Sequence, residues 1–244
     1  MQPLRGKTAL ITGGAKRIGR DLALTLADAG AKIAITYRDS KSDAENVVLQ
    51  ITKAGGHAYA FHCDLMDDLS VRSAAQSAIE QLGSLDLLIN NAGAYQTRHF
   101  EEITPAEFDL IFGTNVRAPF LLSQVCIPEL RRRQGRIIHI GSLGGLRPWA
   151  THTHYCSSKA ALHMLTQTMA KAVAPDISVN CVAPGMIVFP SSEKTDETVH
   201  FARKTPMQRN GTAADVAAAV LFFATCPKFI TGQILAVDGG LGLV

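Results

Sequence analysis

The sequence predicts an α/β fold, a single domain built on a doubly wound parallel sheet with helices on both faces. Three observations predict it. Apolar runs of strand length alternate with segments of helical periodicity along the chain, and a glycine-rich turn joins the first strand to the first helix. The 244 residues are 47% hydrophobic and contain no low-complexity linker, so one core can be buried without a second domain.

The first unit of the fold is a strand, a turn, a helix and a second strand. Residues 7–12 are an apolar run, and the turn from Gly13 to Gly19 follows it. Apolar residues then recur at helical spacing up to Gly30, and residues 31–37 form the next apolar run. Gly13 allows a tight turn and Gly19 allows close packing, so backbone N–H groups can face a pyrophosphate. Glycine turns also occur wherever strands meet helices, but the flanking elements favour the dinucleotide interpretation.

The remaining elements continue the alternation. Helices are predicted at residues 41–53, 67–82, 105–131, 152–173 and 212–225, and strands at residues 57–62, 85–90, 135–141, 177–182 and 233–237. Strands that alternate with helices pair in parallel through right-handed crossovers. Residues 184–208 hold prolines, serines and charges without a clear period, which predicts an irregular lid over a site.

Charge, cysteine content and hydropathy argue against several function classes. The formal net charge is +3, and the basic run at residues 131–133 ends a predicted helix, where it complements the dipole; we therefore expect no nucleic-acid partner. Five scattered cysteines lack metal-ligand spacing, which favours reduced thiols and no metal site. No apolar run has the form of a signal peptide or a transmembrane segment, so we expect a cytoplasmic protein without a membrane partner.

Tyr155 and Lys159 are one helical turn apart on the predicted helix 152–173, so their side chains share a face. A phenol is a weak acid with a free pKa of about 10, and a neighbouring cation favours its phenolate. The pair is therefore suited to proton transfer. Ser142 follows the predicted strand 135–141 and can bring a hydroxyl to the same pocket. Tyrosine and lysine at this spacing also occur on solvated helix faces without any role.

A set of ordered motifs extends over the whole chain. They are Thr12-Gly13-x-x-x-Arg17-Ile18-Gly19, Asp64, Asn90-Asn91-Ala92-Gly93, Asn115, Ser142, Tyr155-x-x-x-Lys159, Pro184-Gly185, Ile230-Thr231-Gly232-Gln233 and Val237-Asp238-Gly239-Gly240. In order and spacing they resemble the short-chain dehydrogenase/reductase family. The resemblance implies a single Rossmann-fold domain over residues 1–244 with a seven-stranded sheet. It also implies a nicotinamide-dependent oxidoreductase acting on a small molecule.

The resemblance implies a role for each catalytic candidate. Tyr155 is the general acid that protonates the substrate atom on which charge develops as hydride arrives. Lys159 lowers the pKa of Tyr155 and holds the ribose hydroxyls of the nicotinamide, and Ser142 orients the substrate oxygen. Asn115 binds a water that links Lys159 to solvent, although by itself it is an ordinary polar helix residue.

The resemblance also implies a cofactor site. The backbone at Asn91 passes close to the cofactor, Asp64 accepts a hydrogen bond from the adenine amino group, and Pro184 and Gly185 shape a wall against the nicotinamide amide. The alternative for Asp64 is a helix N-cap. The full predicted set is Gly13, Lys16, Arg17, Ile18, Gly19, Tyr37, Arg38, Ser40, Asp64, Leu65, Asn91, Ala92, Gly93, Tyr155, Lys159, Pro184, Gly185 and Ile187.

The end of the second strand predicts which nicotinamide is used. An acidic residue there binds the ribose 2′-hydroxyl and repels a 2′-phosphate. This chain has Tyr37 and Arg38 instead, and Lys16 and Arg17 add two cations in the glycine turn. Cations suit a phosphate dianion, so NADPH is favoured over NADH. Asp39 is the counterargument, since it can pair with Arg38 or approach the ribose.

Two features divide the substrate prediction. Arg17 stands where most of the family has glycine, and together with Tyr95 it resembles the pteridine reductase branch, in which an aromatic ring sandwiches the flat pterin against the nicotinamide. Those reductases carry aspartate where this chain has Ser142, and often serine where it has Gly93. Serine at 142 resembles the reductases of ketones and 3-oxoacyl thioesters. A carbonyl substrate and a pterin both remain open.

Two further expectations concern the pocket and the assembly. Trp149 and Phe189 are candidates to line the substrate pocket with Arg17, Tyr95, Ser142 and Tyr155, or else are core or oligomer contacts. The family resemblance implies a homotetramer through helices 105–131 and 152–173, with Phe120, Leu121, Met164 and Met169 as apolar contacts. A remote alternative is a dinucleotide-binding sensor without catalysis, which has no physical need for all four catalytic candidates.

Overall fold

The computed structural model describes residues 2–189 and 195–244. Within them the strands are β1 (Thr8–Ile11), β2 (Lys32–Tyr37), β3 (Ala58–His62), β4 (Leu87–Asn90), β5 (Arg136–Ile140), β6 (Ser178–Pro184) and β7 (Ile234–Val237). The α-helices are α1 (Arg17–Asp28), α2 (Lys41–Lys53), α3 (Asp68–Leu82), α4 (Pro105–Phe112), α5 (Ala118–Arg133), α6 (Thr153–Ala172), α7 (Asp196–Lys204) and α8 (Ala213–Thr225). The predicted alternation of strands and helices is confirmed.

The described strands form one parallel sheet in the order β3-β2-β1-β4-β5-β6-β7. The order reverses between β1 and β4, which pair directly through Ile11 and Ile89. A crevice opens at such a reversal, outside the carboxyl ends of the strands, because the two connecting chains leave to opposite faces. The glycine turn after β1 and the loop after β4 therefore lie side by side.

Side chains that alternate along each strand build a core on each face of the sheet. Ile11 of β1 lies in one core with Leu22 of α1 and Val216 of α8. Leu10, one residue earlier, lies in the other core with Leu122 of α5. Because both faces are covered, the strands are continuous apolar runs, as a doubly wound parallel sheet requires.

The predicted helix 105–131 is not one regular helix. It consists of α4, a π-helical turn at Gly113–Arg117, and α5. A π turn holds one more residue than an α turn and shifts the register of the side chains that follow. Asn115 lies in this wide turn and is 1% exposed, so the irregularity carries the predicted relay residue inward.

The predicted irregular segment 184–208 is more ordered than expected. Pro184 still belongs to β6, where it pairs with Val237, and α7 occupies Asp196–Lys204. Thr195 begins α7 with a capping box, and the acidic first turn and basic last turn suit the helix dipole. These signals are present in the sequence, but α7 holds few apolar residues and buries none of its side chains. Residues 190–194 of the predicted lid lie outside the described residues.

One helical stretch of the described chain, Pro105–Arg133, has the length and apolar composition that could cross a membrane. Its apolar side chains include Leu122, Cys126 and Leu130, which are buried in the core against the sheet. A core helix of an α/β domain gives the same signal, so this stretch is weak evidence for a membrane span.

Candidate active site

One strand end, one helix and the π-helical turn bring the four catalytic candidates together. Lys159 lies on α6 and is 4% exposed, and its Nζ donates to the carbonyl oxygen of Ile140 at 2.9 Å. The same Nζ is 5.9 Å from the centre of the Tyr155 ring. Ser142 follows β5 directly and is buried, and Asn115 comes from the π turn. Thus residues distant in sequence share one pocket at the carboxyl edge of the sheet.

The pKa values of the two central groups move in opposite directions, and for both the main cause is burial. Burial raises the pKa of Tyr155 to about 12, against the smaller opposite effect of the Ser142 hydroxyl. Burial lowers the pKa of Lys159 to about 8. The pKa of Tyr155 therefore lies above its ordinary value and not below it as expected, because desolvation of the phenol dominates. At neutral pH the phenol keeps its proton and can donate it.

The Ser142 hydroxyl lies at the start of a short 3₁₀ helix, Leu143–Gly145. Its Oγ accepts a hydrogen bond from the N–H of Gly144 at 3.1 Å. This contact fixes the hydroxyl oxygen and leaves the hydroxyl proton available to donate. A serine here can therefore donate a hydrogen bond to an oxygen placed between it and Tyr155.

The side chain of Asn115 ties the π-helical turn to the loop after β4. Its Oδ1 accepts from the N–H of Ala94 at 2.8 Å, and its Nδ2 donates to the carbonyl of Ala94 at 2.9 Å and to the Ser158 hydroxyl at 3.0 Å. Both amide protons are thereby used, so the residue positions the loop directly. The predicted relay water on Asn115 stays a prediction.

The glycine turn has the geometry that a pyrophosphate site requires. Gly13 has φ +62°, a left-handed conformation that glycine adopts without strain. A Cβ on Gly19 would lie 2.1 Å from the carbonyl oxygen of Gly13, so only glycine permits this closeness. A Cβ on Gly14 would lie 2.4 Å from Cγ2 of Ile35, a requirement that the sequence analysis missed. Glycine at these positions thus lets the turn close tightly at the start of α1, where the N–H groups of a helix suit an anion.

Side chains from both loops, Thr12 and Asn91, bind the loop after β4 to the glycine turn. Thr12 Oγ1 accepts from the N–H groups of Asn91 at 2.9 Å and of Ala92 at 3.0 Å. Asn91 Nδ2 donates back to the carbonyl of Thr12 at 2.8 Å and to that of Gly13 at 3.2 Å. The two loops that flank the crevice therefore hold a common shape, with Gly93 at the next position facing Asn115.

Arg17 is strained in its backbone and contacts the segment after β6. It is one of the non-glycine residues with positive φ, at +51°. Its guanidinium lies 5.7 Å from the centre of the Phe189 ring, within cation–π range. The structure thus places two predicted substrate residues beside each other at the mouth of the glycine turn. An unfavourable backbone retained at such a place is typical of a functional position.

The other cations predicted for a 2′-phosphate already have acidic partners. Lys16 Nζ pairs with Asp43 Oδ2 at 3.0 Å, and Arg38 Nε pairs with Asp39 Oδ2 at 2.7 Å. The Asp39 pairing foreseen as a counterargument is thus observed. Both pairs are well exposed, so they are weak and can exchange for a phosphate.

The remaining cofactor candidates lie along the same edge. Tyr37 ends β2 with its ring edge-on to His62 at 5.9 Å. Asp64 Oδ1 accepts from the N–H of Met66 at 2.9 Å, whereas Asp67 caps α3, so the N-cap alternative for Asp64 is wrong. Ser40 lies just before α2. Ile18 and Ile187 pack against the core that contains Ile11, and Leu65 packs against the core that contains Leu10. The N–H of Gly185 donates to the carbonyl of Val237 at 3.0 Å.

Aromatic rings surround Tyr155 on the solvent side. The Tyr95 ring meets it edge-on at 4.9 Å, and the Trp149 ring is nearly parallel to it at 6.1 Å. His152 completes the cluster, since its Nε2 lies 2.6 Å from the Tyr95 hydroxyl. The sequence analysis placed Tyr95 and Trp149 at the pocket but gave His152 no role. Its position three residues before Tyr155 was the available signal.

Comparison with known proteins yields matches over nearly the full length. The profile of a family described as enoyl-(acyl carrier protein) reductase matches residues 13–242. A 3-oxoacyl-(acyl-carrier-protein) reductase of Staphylococcus aureus (strain Mu50) is 35% identical over 240 residues, covering 96% of this chain and 98% of that protein.

Two solved structures have the same fold. A short-chain dehydrogenase from Burkholderia cenocepacia J2315 in complex with NADP has a TM-score of 0.92 and 37% identity, covering 98% of this chain and 99% of the other. A 7 alpha-hydroxysteroid dehydrogenase complexed with NADH and 7-oxo glycochenodeoxycholic acid has a TM-score of 0.92 and 36% identity, covering 97% and 94%.

Proposed function

The chain belongs to the short-chain dehydrogenase/reductase family, and on that premise we propose that it reduces a carbonyl compound with NADPH, using Tyr155 as the general acid. It is an NAD(P)-dependent oxidoreductase. The observation that carries the proposal is the protonated phenol of Tyr155 in a pocket with the Ser142 hydroxyl and the buried Lys159 cation. Those are the groups that the reduction of a C=O bond needs at its oxygen.

Each residue has a distinct part in the reaction. A bound nicotinamide supplies hydride to the carbonyl carbon, and negative charge develops on the carbonyl oxygen. The hydroxyl of Tyr155 donates its proton to that oxygen, while Ser142 donates a hydrogen bond that orients it. Lys159 stabilises the phenolate that Tyr155 becomes, since a cation on the adjacent helical turn favours it. Asn115 holds the neighbouring loop, and its relay water is part of the proposal.

The glycines in the turn after β1 suit a dinucleotide bound in the crevice. Side chains at positions 14 and 19 would clash with Ile35 and with the carbonyl oxygen of Gly13, so glycine lets the turn close tightly at the start of α1, where helix N–H groups suit a pyrophosphate. Arg38 and Lys16 would exchange their exposed carboxylate partners for the 2′-phosphate. We therefore propose NADPH as the preferred cofactor, with NADH as the weaker one. The relatives in complex with NADP and with NADH support both as chemically accessible.

A pterin is the second candidate substrate, favoured by the ring of Tyr95 beside Tyr155 and by Arg17 beside Phe189. An aromatic ring and a guanidinium at the pocket mouth suit a flat heterocycle. Ser142 argues against it, since its hydroxyl is a weaker acid than the carboxyl that protonates pterin nitrogens. Gly93 also argues against a pterin. The pteridine reductases often carry serine at this position, and a Cβ here would lie 3.1 Å from Asn115 Oδ1, which is a tight contact. A 3-oxoacyl thioester, the substrate type named for the Staphylococcus relative, is the other carbonyl candidate.

We propose one cytoplasmic domain that assembles as a homotetramer through α4–α5 and α6. Phe120 is 49% exposed and Met164 is 58% exposed, and such apolar side chains on long helices suit a helix-to-helix contact. Leu121 and Met169, expected to share this role, are instead buried in the core of the protomer. A cofactor-binding sensor without catalysis is the remote alternative.

The test is NADPH oxidation by the purified protein with ketones, acetoacetyl thioesters and dihydrobiopterin, each repeated with NADH. The expected result is turnover of a ketone or thioester at a higher kcat/KM with NADPH than with NADH. Turnover of the pterin alone would replace the carbonyl proposal by the second candidate. Cofactor binding by calorimetry without any turnover across the panel would favour the sensor.

A further inference from the structure

A buried histidine continues the catalytic face of α6. His163 is four residues after Lys159, so Tyr155, Lys159 and His163 lie on successive turns of one helix face. His163 is 6% exposed, and its Nε2 lies 3.5 Å from the backbone nitrogen of Ser142. The first two of these residues are the proposed acid and its cation, while His163 has no assigned part.

The backbone on both sides of Ser142 packs closely against the imidazole ring of His163. A Cβ on Gly141 would lie 2.3 Å from His163 Nε2, and a Cβ on Gly145 would lie 2.6 Å from His163 Cε1. Residues on both sides of Ser142 thus approach the ring more closely than any side chain would permit. The imidazole ring of His163 therefore fixes the backbone position of Ser142, although the two residues are 21 positions apart in the sequence.

The chemistry of the ring matches this contact. Burial, with a smaller contribution from the Lys159 cation, lowers the pKa of His163 to about 4 against the smaller opposite effect of the Gly145 backbone, so the ring is neutral at pH 7. A neutral ring that accepts from the Ser142 N–H at Nε2 carries its proton on Nδ1. Among the described residues that buried Nδ1 has no hydrogen-bond partner, which costs stability. An apolar side chain would avoid the cost, so packing alone does not account for a histidine here.

We propose that His163 is a positioning residue for the reaction: as a neutral imidazole it accepts the backbone N–H of Ser142 and holds the serine hydroxyl in line with Tyr155. The proposal rests on the proposed carbonyl reduction for its kinetic consequence. The Nδ1–H tautomer of His163 and its contact with the Ser142 N–H do not depend on which substrate is reduced.

The kinetic test compares His163→Leu with His163→Gln, because leucine lacks an acceptor and the glutamine amide oxygen can replace Nε2. His163→Leu is expected to lower kcat about ten- to hundredfold through misplacement of Ser142, with the KM for NADPH and the melting temperature little changed. His163→Gln should recover most of that loss. Thr166→Val on the same buried face is the matched control, since the Thr166 hydroxyl donates to Leu162 of its own helix, and it should keep wild-type kcat.

The spectroscopic test uses protein labelled with ¹⁵N-histidine, with His163→Gln to identify the signal. The expected spectrum at pH 7 shows a neutral His163 ring protonated on Nδ1, and a proton on Nε2 would overturn the proposal even if His163→Leu does not fold. Wild-type kcat in a folded His163→Leu, or equal losses in the leucine and glutamine variants, would overturn it too. If the wild-type protein reduced no substrate, the proposed function would fail. The spectrum would still show whether His163 is neutral and protonated on Nδ1.

Discussion

The ammonium group of Lys159 faces the ring of Tyr155 at 5.9 Å from its centre, while its hydrogen bond goes to the backbone carbonyl of Ile140 at 2.9 Å. The cation is therefore held by the strand β5 and presented to the phenol, within the distance of a cation–π contact. Both groups are buried enough that the pKa of the phenol rises and that of the amine falls. At neutral pH the pair is a neutral acid beside a cation, the state in which a proton can be given to an oxygen that is gaining charge.

Tyr155→Phe removes the proton donor and keeps the ring. We expect kcat for carbonyl reduction to fall about 10²- to 10⁴-fold, the usual contribution of a general acid. NADPH affinity and thermal stability should be little changed, because the ring contacts with Tyr95 and Trp149 do not need the hydroxyl. Steady-state kinetics and calorimetry measure both quantities. Tyr59→Phe, which removes a hydroxyl on β3 outside the pocket, is the control, and undiminished turnover in Tyr155→Phe would refute the mechanism.

Lys159→Met should change how stability depends on pH. Burial lowers the pKa of Lys159 in the folded protein to about 8, from an ordinary value of 10.5. Between these values the unfolded chain binds the proton and the folded one does not, so the stability of the wild type rises with pH. Methionine does not titrate. Urea unfolding of both proteins at several pH values measures the free energy of unfolding. That of the wild type should rise relative to that of Lys159→Met from pH 8 to 10.5. A constant difference across that range would contradict the burial of a titrating amine.

Arg17→Gly and Arg17→Ala both remove the guanidinium and its contact with Phe189, but only glycine relieves the positive φ of +51°. The glycine variant should be more stable than the alanine variant by about 1 kcal/mol, since a left-handed backbone costs about that much in a residue with a Cβ. Chemical denaturation measures the difference. Both variants should bind NADPH more weakly than the wild type by a similar factor. Equal stability of the two variants would mean that the Arg17 backbone is not left-handed in solution.

Arg38→Ala should reduce the preference for NADPH over NADH about tenfold or more, because one charge-assisted hydrogen bond to a phosphate is worth about 1.5–3 kcal/mol. Asp39→Asn should act in the opposite direction, since it removes the carboxylate that pairs with Arg38 at 2.7 Å. The ratio of kcat/KM values for the two cofactors measures both effects. An unchanged ratio in both variants would place the 2′-phosphate elsewhere in the site.

The sequence was sufficient for the alternation of strands and helices and for the catalytic candidates. Apolar periodicity reports burial along one element, and the spacing from Tyr155 to Lys159 follows from one helical turn. The glycine requirement at Gly13 and Gly19 could also be foreseen, because Gly13 allows a tight turn and Gly19 allows close packing of the helix on the sheet. The helix α7 was missed because it buries no residue, which leaves its capping box at Thr195 as the main signal.

The tertiary structure alone decided which distant groups meet and what burial does to them. Periodicity does not predict that the Asn115 amide ties down Ala94, that Asp43 pairs with Lys16, or that His163 lies beneath Ser142. Such contacts depend on how the crossovers pack the helices on the sheet. The rise in the pKa of Tyr155 has the same origin, because the spacing of Tyr155 and Lys159 is local, whereas desolvation comes from every element that covers the pocket.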